Sequence, residues 1–292
     1  MKPSKKIIGE SFSKAAGTYD LHSCLQKDVA VWLADRVRTY KDQQDTAQIM
    51  NACIQVVGAA AGPMASSPPD EIKALDIGCG TGNMAVLLSG ILTKAAIYAT
   101  DLAMPMLEKT RERFKARPLL AASDCEALPF SDSTFDIIVS SLAYQWAQNI
   151  VQAFKEAART LKPGGRLFFA TLGPATLHEL RSCYNEALAD GRYPGPQGYP
   201  DALALSSYIR EAGLELRSIE KQIVHRRYES IYGLIRTLKM IGAAPARNSK
   251  RGTAAGDMTL RRAGRIYAER FAAPEGGVIA TYEVILVCAE KN

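Results

Sequence analysis

The stretch that most constrains the fold is residues 72–82, Ile-Lys-Ala-Leu-Asp-Ile-Gly-Cys-Gly-Thr-Gly. A short apolar run, suited to a buried parallel strand, ends at Asp76 and breaks into Gly78, Gly80 and Gly82. Helix-compatible sequence, Asn83-Met-Ala-Val-Leu-Leu88, follows at once. Strand, glycine turn and helix together let a backbone approach a nucleotide closely and present amide donors at a helix N-terminus. The spacing is G-x-G-x-G, and Asn83 departs from the dinucleotide fingerprint G-x-G-x-x-G. Taken alone, such a turn fits an ordinary strand-to-helix connection just as well.

Two further carboxylates sharpen the reading. Asp101 closes the run Ala96–Thr100, where an acid can accept both hydroxyls of a ribose. Asp124 closes a third run, Leu119–Ala122, within reach of an adenine amino group. Three acids after three consecutive strands share the C-terminal edge of a sheet, the edge at which open α/β sheets bind ligands. A helix over Pro105–Lys115 and strands over 135–140 and 166–171 continue the alternation. The expected fold is α/β, a doubly wound parallel sheet.

These residues carry a resemblance. Leu75-Asp-Ile-Gly-Cys-Gly-Thr-Gly82, Asp101, Asp124-Cys125 and Leu161-Lys-Pro-Gly-Gly165 resemble the class I S-adenosylmethionine-dependent methyltransferases. The resemblance implies a seven-stranded Rossmann-like sheet with a reversed last strand, for which the run 277–288 suits an edge hairpin partner. It implies S-adenosyl-L-methionine as cofactor and S-adenosyl-L-homocysteine as product. It also implies a cofactor set: Gly78, Gly80 and Gly82 at the methionine part, Asp101 and Leu102 at the ribose, Asp124 and Cys125 by the adenine. Asp76 would meet the amino group, and Ser140 completes the set.

Outside that core the chain is less regular. Residues 7–40 read as two helices. Phe12, Ala15, Ala16 and Tyr19 share one face and Leu25, Val29, Trp32, Leu33 and Val37 another. They either cover the sheet or form a lid with Tyr19 pointing into the site. Residues 41–71 read as a loose, partly helical insertion ending in a proline-rich connector. The expected organisation is a lid and linker over 1–71, a cofactor-binding core over 72–175, and the remaining strands with helical acceptor-side insertions over 176–292, all in one compact domain.

Composition excludes several classes. An apolar share of 47% and a charged share of 23% are those of an ordinary globular chain. Thirty-six Lys and Arg against 30 acids leave +6, which fits an acidic partner or simply scattered surface lysines. Six scattered cysteines and three histidines offer neither a disulfide framework nor metal-ligand spacing. No metal is expected, and neither an apolar leader nor a membrane span is visible, so the expected location is the cytoplasm.

After strand four the chain reads Ser140-Ser-Leu-Ala-Tyr-Gln-Trp146, without the Asn/Asp-Pro-Pro-aromatic tetrapeptide of enzymes that methylate base amines. That argues against a nucleic-acid substrate. A fuller resemblance is to the malonyl-[acyl-carrier protein] O-methyltransferases of biotin synthesis. It rests on Phe12-Ser-Lys-Ala-Ala-Gly-Thr-Tyr19 with Gln26, Ser141–Trp146, Leu238-Lys-Met-Ile-Gly-Ala243, Thr281-Tyr282, and the segment from Thr171 to Leu180. The chain departs from that family in having Ala244-Pro245 where a Thr-His pair is common.

The resemblance implies methyl transfer to the free carboxylate of a malonyl thioester, carried on acyl-carrier protein or coenzyme A. Such a carboxylate is ionised near neutral pH and needs no general base. The residues expected to position it are Tyr19, Gln145 and Lys239, from a wider set that includes Tyr144 and Arg181. The basic residues Arg226, Arg227, Arg236, Lys239, Arg247, Lys250 and Arg251 would receive an acidic carrier or face solvent. Alternatives are another small-molecule methyltransferase of the quinone C-methyltransferase type, and a cofactor-binding module without turnover. A nicotinamide oxidoreductase is disfavoured by Asn83 and Asp124.

Overall fold

A computed structural model describes residues 3–58, 71–114, 118–188, 198–243 and 254–292, with side chains of 48–58 and 254–257 outside the description. Helices α1 (Lys5–Ala15), α2 (Tyr19–His22) and α3 (Cys24–Gly58) open the chain. Then come β1 (Lys73–Ile77), α4 (Asn83–Ile91), β2 (Ala96–Asp101), α5 (Met104–Arg113), β3 (Leu119–Ala122) and β4 (Phe135–Ser141). A single 3-10 turn, Tyr144–Trp146, leads to α6 (Ile150–Thr160), β5 (Leu161–Leu172) and α7 (His178–Ala187). The chain closes with α8 (Ala202–Glu211), β6 (Leu214–Tyr228), α9 (Ile231–Met240), α10 (Ala254–Arg270) and β7 (Val278–Lys291).

The seven strands lie in the order β3-β2-β1-β4-β5-β7-β6. The first five run parallel, and β7 is antiparallel to both of its neighbours. This is the doubly wound sheet with a reversed last strand that the motifs imply. The strand order reverses between β1 and β4, and ligands bind outside the strand ends at such a switch point. The reversed strand is not at the edge. Long β7 is buried on both faces between β5 and β6, because its run Val284–Val287 is apolar at every position rather than at alternate ones. Mostly exposed β6 takes the edge.

The N-terminal segment differs from the two helices expected. Gly17 and Thr18 break it, so that three helices form. The last does not stop at residue 40. It runs on to Gly58 through the polar stretch read as a loose insertion; residues 59–70, including the proline-rich connector, lie outside the described residues. Lys41 and Asp45 pair at i,i+4, and Thr39 and Thr46 return hydroxyls to carbonyls one turn back, which favours continuation over a break. Leu25, Val29, Leu33 and Val37 of α3 are buried against the sheet.

On the opposite face the core centres on aromatic rings. Tyr144 packs edge-on against Phe154 and Phe169 at 5.1 and 5.5 Å between ring centroids. Its hydroxyl is buried with no hydrogen-bond partner among the described residues. Tyr144 is therefore a core residue and not one that holds substrate. An unmade buried bond costs roughly 1–3 kcal/mol. Tyr144→Phe should keep the ring contacts, remove that penalty and raise unfolding stability by about 1 kcal/mol. Chemical denaturation that instead shows a loss would reveal a partner for the hydroxyl.

Candidate functional site

The glycine turn is built from backbone geometry. Gly78 sits at φ +70°, and a Cβ there would lie 2.3 Å from that of Ala143, so no side chain fits. Gly80, at φ +55°, would aim a Cβ at open space. The Gly78 and Cys79 amides donate to the Thr100 carbonyl at 2.7 and 2.9 Å, tying the turn to β2. The Gly80 amide donates to Asp101 Oδ2 at 2.9 Å, and the Ala103 amide to Oδ1 at 2.8 Å. Asp101 thus organises the turn as well as facing the cleft.

A cleft opens beside this turn. Gly78, Gly80, Asp101, Leu102, Asp124 and Cys125 all border it. Of the residues expected at the cofactor, three lie behind its wall. Gly82 caps α4 and packs on Thr110. Ser140 is buried and donates to the Ile77 carbonyl at 3.0 Å, while Ser141, on the opposite face of β4, reaches the cleft. Asp76 does not end its strand but is the penultimate residue of β1, fully buried.

Neither carboxyl oxygen of Asp76 has a hydrogen-bond partner among the described residues. Burial first, and the neighbouring Asp101 carboxylate second, push its pKa up to about 8, against a weaker pull from the Ala85 amide, which falls short of hydrogen-bond geometry. Asp101 is raised by burial as well, against the opposing pull of the amides that bind it. A fully buried carboxyl at Asp76 beside a half-buried, amide-bound one at Asp101 fits a ligand that brings positive charge and hydroxyl donors. The orphaned oxygens and the Cβ-free floor at Gly78 and Gly80 fit an adenosyl sulfonium carrying an amino group.

The N-terminal helices roof the cleft. Lys5 of α1 pairs with Asp124 and, at 3.1 Å, with Glu126. Phe12 stands edge-on to Trp146, with 5.3 Å between centroids. Asp20 anchors α2, accepting from Thr81 Oγ1 at 2.7 Å and from Arg113, which also donates to Asn83 at 2.5 Å. This anchorage holds the adjacent Tyr19 at the cleft. Burial, then Asp101 and Asp20, raise the Tyr19 pKa and keep its hydroxyl a neutral donor.

A second cavity shares Phe12, Tyr19, Leu142 and Trp146 with the first. Its polar side chains are those of Gln26, Gln145, Tyr199, Tyr282 and Tyr19 itself. Thr171 Oγ1 donates to Gln145 Oε1 at 3.5 Å, leaving the amide nitrogen for a ligand. Tyr199 and Tyr282 were not among the residues singled out as substrate-positioning. Tyr199 follows a proline-glycine loop, and nothing local in the sequence marks its packing beneath α9. Thr281-Tyr282 stood out only through the family resemblance.

Two other candidates point elsewhere. Lys239 is exposed on α9 and borders neither cavity; the helix directs Leu234 and Leu238 inward, and Lys239 lies about 100° round from Leu238. Arg181 donates to the carbonyls of Thr176 and Pro174. The basic set also divides: Arg226 pairs with Asp28, Arg227 donates to Gly276, and Arg247, Lys250 and Arg251 lie outside the described residues. Among the described residues no acid, His and Cys cluster suits a metal, and no helix is long and apolar enough to cross a membrane.

Comparison with known proteins gives the same picture. A family model described as a methyltransferase domain matches residues 75–169. A malonyl-[acyl-carrier protein] O-methyltransferase of Methylococcus capsulatus is 31% identical over 99% of this chain and 94% of its own length. One from Dechloromonas aromatica is 32% identical over 99% and 96%. A biotin biosynthesis bifunctional protein of Saccharophagus degradans is 31% identical over 97% of this chain but only 46% of its own. In fold, the chain resembles the YcgJ protein of Bacillus subtilis, with a TM-score of 0.54, 20% identity, and 76% and 92% of the two chains covered.

The state of Asp76 has a consequence for stability. Its unfolded pKa lies near the ordinary 3.8 and its folded value at about 8. Between those values the folded chain holds a proton that the unfolded chain has released, so this group's contribution falls as pH rises. The slope is at most about 1.4 kcal/mol per pH unit. Asp76→Asn should flatten the profile, becoming more stable than the parent by an amount that grows from about pH 5 to about pH 8. Denaturation of ligand-free protein across that range tests this, and parallel profiles would place Asp76 in its ionised form throughout.

Proposed function

The chain belongs to the malonyl-[acyl-carrier protein] O-methyltransferase family, and we propose that it methylates the free carboxylate of a malonyl group borne as a thioester on acyl-carrier protein. The observation that carries this reading is the wall of Phe12, Tyr19, Leu142 and Trp146 common to the two cavities. A donor in the first and an acceptor in the second would meet across it.

S-adenosyl-L-methionine, when bound, supplies an electrophilic methyl group on a sulfonium and leaves as S-adenosyl-L-homocysteine. Asp101 and Leu102 would hold its ribose and Asp124 and Cys125 its adenine, with Gly78 and Gly80 passing the methionine part and Asp76, behind the cleft wall, reaching its amino group through water. Burial pushes the Cys125 thiol up to about 12, so it stays protonated beside the purine. The acceptor carboxylate is already ionised and requires no general base. The protein's task is to strip water from it and align it. Phe12, Leu142 and Trp146 exclude water, while Tyr19, Gln145 and Tyr199 donate hydrogen bonds to the carboxylate and thioester.

On this reading residues 1–71 serve as lid and linker, 72–175 as the donor-binding core, and 176–292 as the acceptor side of one domain. The reaction takes place in the cytoplasm as a step toward biotin. Esterification masks the malonyl charge, so that enzymes handling apolar acyl ends can extend it.

Incubation with S-adenosyl-L-methionine and malonyl-acyl carrier protein should add one methyl group, detected by mass spectrometry. Succinyl carrier should gain little and acetyl carrier none. Methylation of the acetyl form would exclude carboxyl chemistry as the sole activity. For the shared wall, Tyr19→Phe should lower kcat by about 10–100-fold, the worth of roughly 1.5–3 kcal/mol for a hydrogen bond to a charged group. Cofactor affinity by calorimetry should change little. An undiminished kcat would remove the Tyr19 hydroxyl from the acceptor site.

A further inference from the structure

Resting on methyl transfer to a carrier-bound malonyl group, we infer that the outer face of α9 and α10 is where the acidic surface of the carrier protein docks. On α9, Ile231, Leu234 and Leu238 are buried, which leaves Tyr232, Arg236 and Lys239 at i, i+4 and i+7 on the outside. On α10, Ala263 and Tyr267 are buried, and Met258, Arg261 and Arg265 form the corresponding outward stripe. The helices meet where α10 carries Gly264. A Cβ there would lie 3.1 Å from Ile231 and 3.9 Å from Tyr232, so the two stripes adjoin.

Some surface cations are neutralised, Arg36 by Glu220, Arg226 by Asp28, and Arg270 at the end of α10 by Glu186, while others such as Lys14, Lys94 and Arg210 stand singly. Among the described residues no carboxylate lies within ion-pair reach of Arg236, Lys239, Arg261 or Arg265. The same two stripes carry Tyr232 and Met258, 50% and 68% exposed. Four cations gathered on two adjoining helices, with large apolar side chains on the same stripes, suit an acidic partner.

The position selects the partner. The end of α9 and the turn after it supply Leu238, Ile241 and Ala243 to the wall of the second cavity. A protein seated on this face therefore lies beside the cavity into which its thioester arm must deliver the malonyl group. Lys239, expected at the substrate carboxylate, belongs to this docking face.

The test compares wild-type protein with the Arg261→Ala/Arg265→Ala variant on two acceptors, malonyl-acyl carrier protein and malonyl-pantetheine. Carrier binding is measured separately by fluorescence anisotropy. The variant should raise KM for the carrier substrate about tenfold, equal to about 1.4 kcal/mol, with kcat unchanged. Its kinetics on malonyl-pantetheine should match wild type. Carrier binding by wild type should weaken between about 50 and about 300 mM salt, more steeply than that of the variant. Unchanged carrier binding in the variant, or an equal loss on both acceptors, would overturn the docking site. Carrier binding that depends on these arginines without methyl transfer to either acceptor would instead overturn the reaction and leave the surface standing.

Discussion

Two carboxyls set the terms for the rest of the molecule. Asp76 and Asp101 lie on adjacent parallel strands at the open end of the sheet, one fully buried and the other tied to backbone amides. Burying like-charged groups side by side is unfavourable, and a protein core alone gives nothing back for it. The fold contains the cost in two ways. The Gly80 and Ala103 amides bind Asp101 and oppose the rise that burial causes, while Asp76, with less to compensate it, is pushed further up. What remains is a polar deficit aimed at one class of ligand. The glycine turn, the switch point between β1 and β4 and the roofing helices are all arranged around it.

The roof then defines the second cavity. Tyr19 and Phe12 would be unremarkable on a helix packed only against the sheet, but Asp20 binds both Thr81 in the glycine turn and Arg113 on α5. That contact fixes α2 relative to the donor cleft, and Tyr19 follows from it. The same short segment closes one cavity and borders the other. The geometry that orients the donor therefore also sets where an acceptor would lie.

Much of this was legible in the sequence because it depends on local signals. A strand that breaks into Gly78, Gly80 and Gly82 has few folded alternatives, and acids at strand ends fall on one rim by topology alone. Finer placements depended on side-chain phase. Ser140 and Ser141 are indistinguishable by composition, yet strand alternation sends one to the Ile77 carbonyl and the other to the cleft. Lys239 sits in a motif shared with the family, yet helical phase turns it outward. The long α3 and the inner position of β7 were missed for a related reason. A polar helix has no apolar stripe to announce it, and a strand buried on both faces shows no alternation.

The acceptor cavity shows how little catalytic apparatus the reaction requires. A carboxylate that is ionised without help needs its hydration removed more than it needs a base, and an amide and tyrosine hydroxyls can orient it without neutralising it. A tightly paired cation would hold the group better but would draw charge from the oxygen that must attack. On the proposed reading, neutral donors inside, at Gln145, Tyr199 and Tyr19, and arginines outside, on α9 and α10, would separate two jobs that one buried ion pair would confuse. The outer charges would gather and orient an acidic carrier over distances of about 10 Å. The inner donors act only after water has been excluded, when each hydrogen bond counts for most.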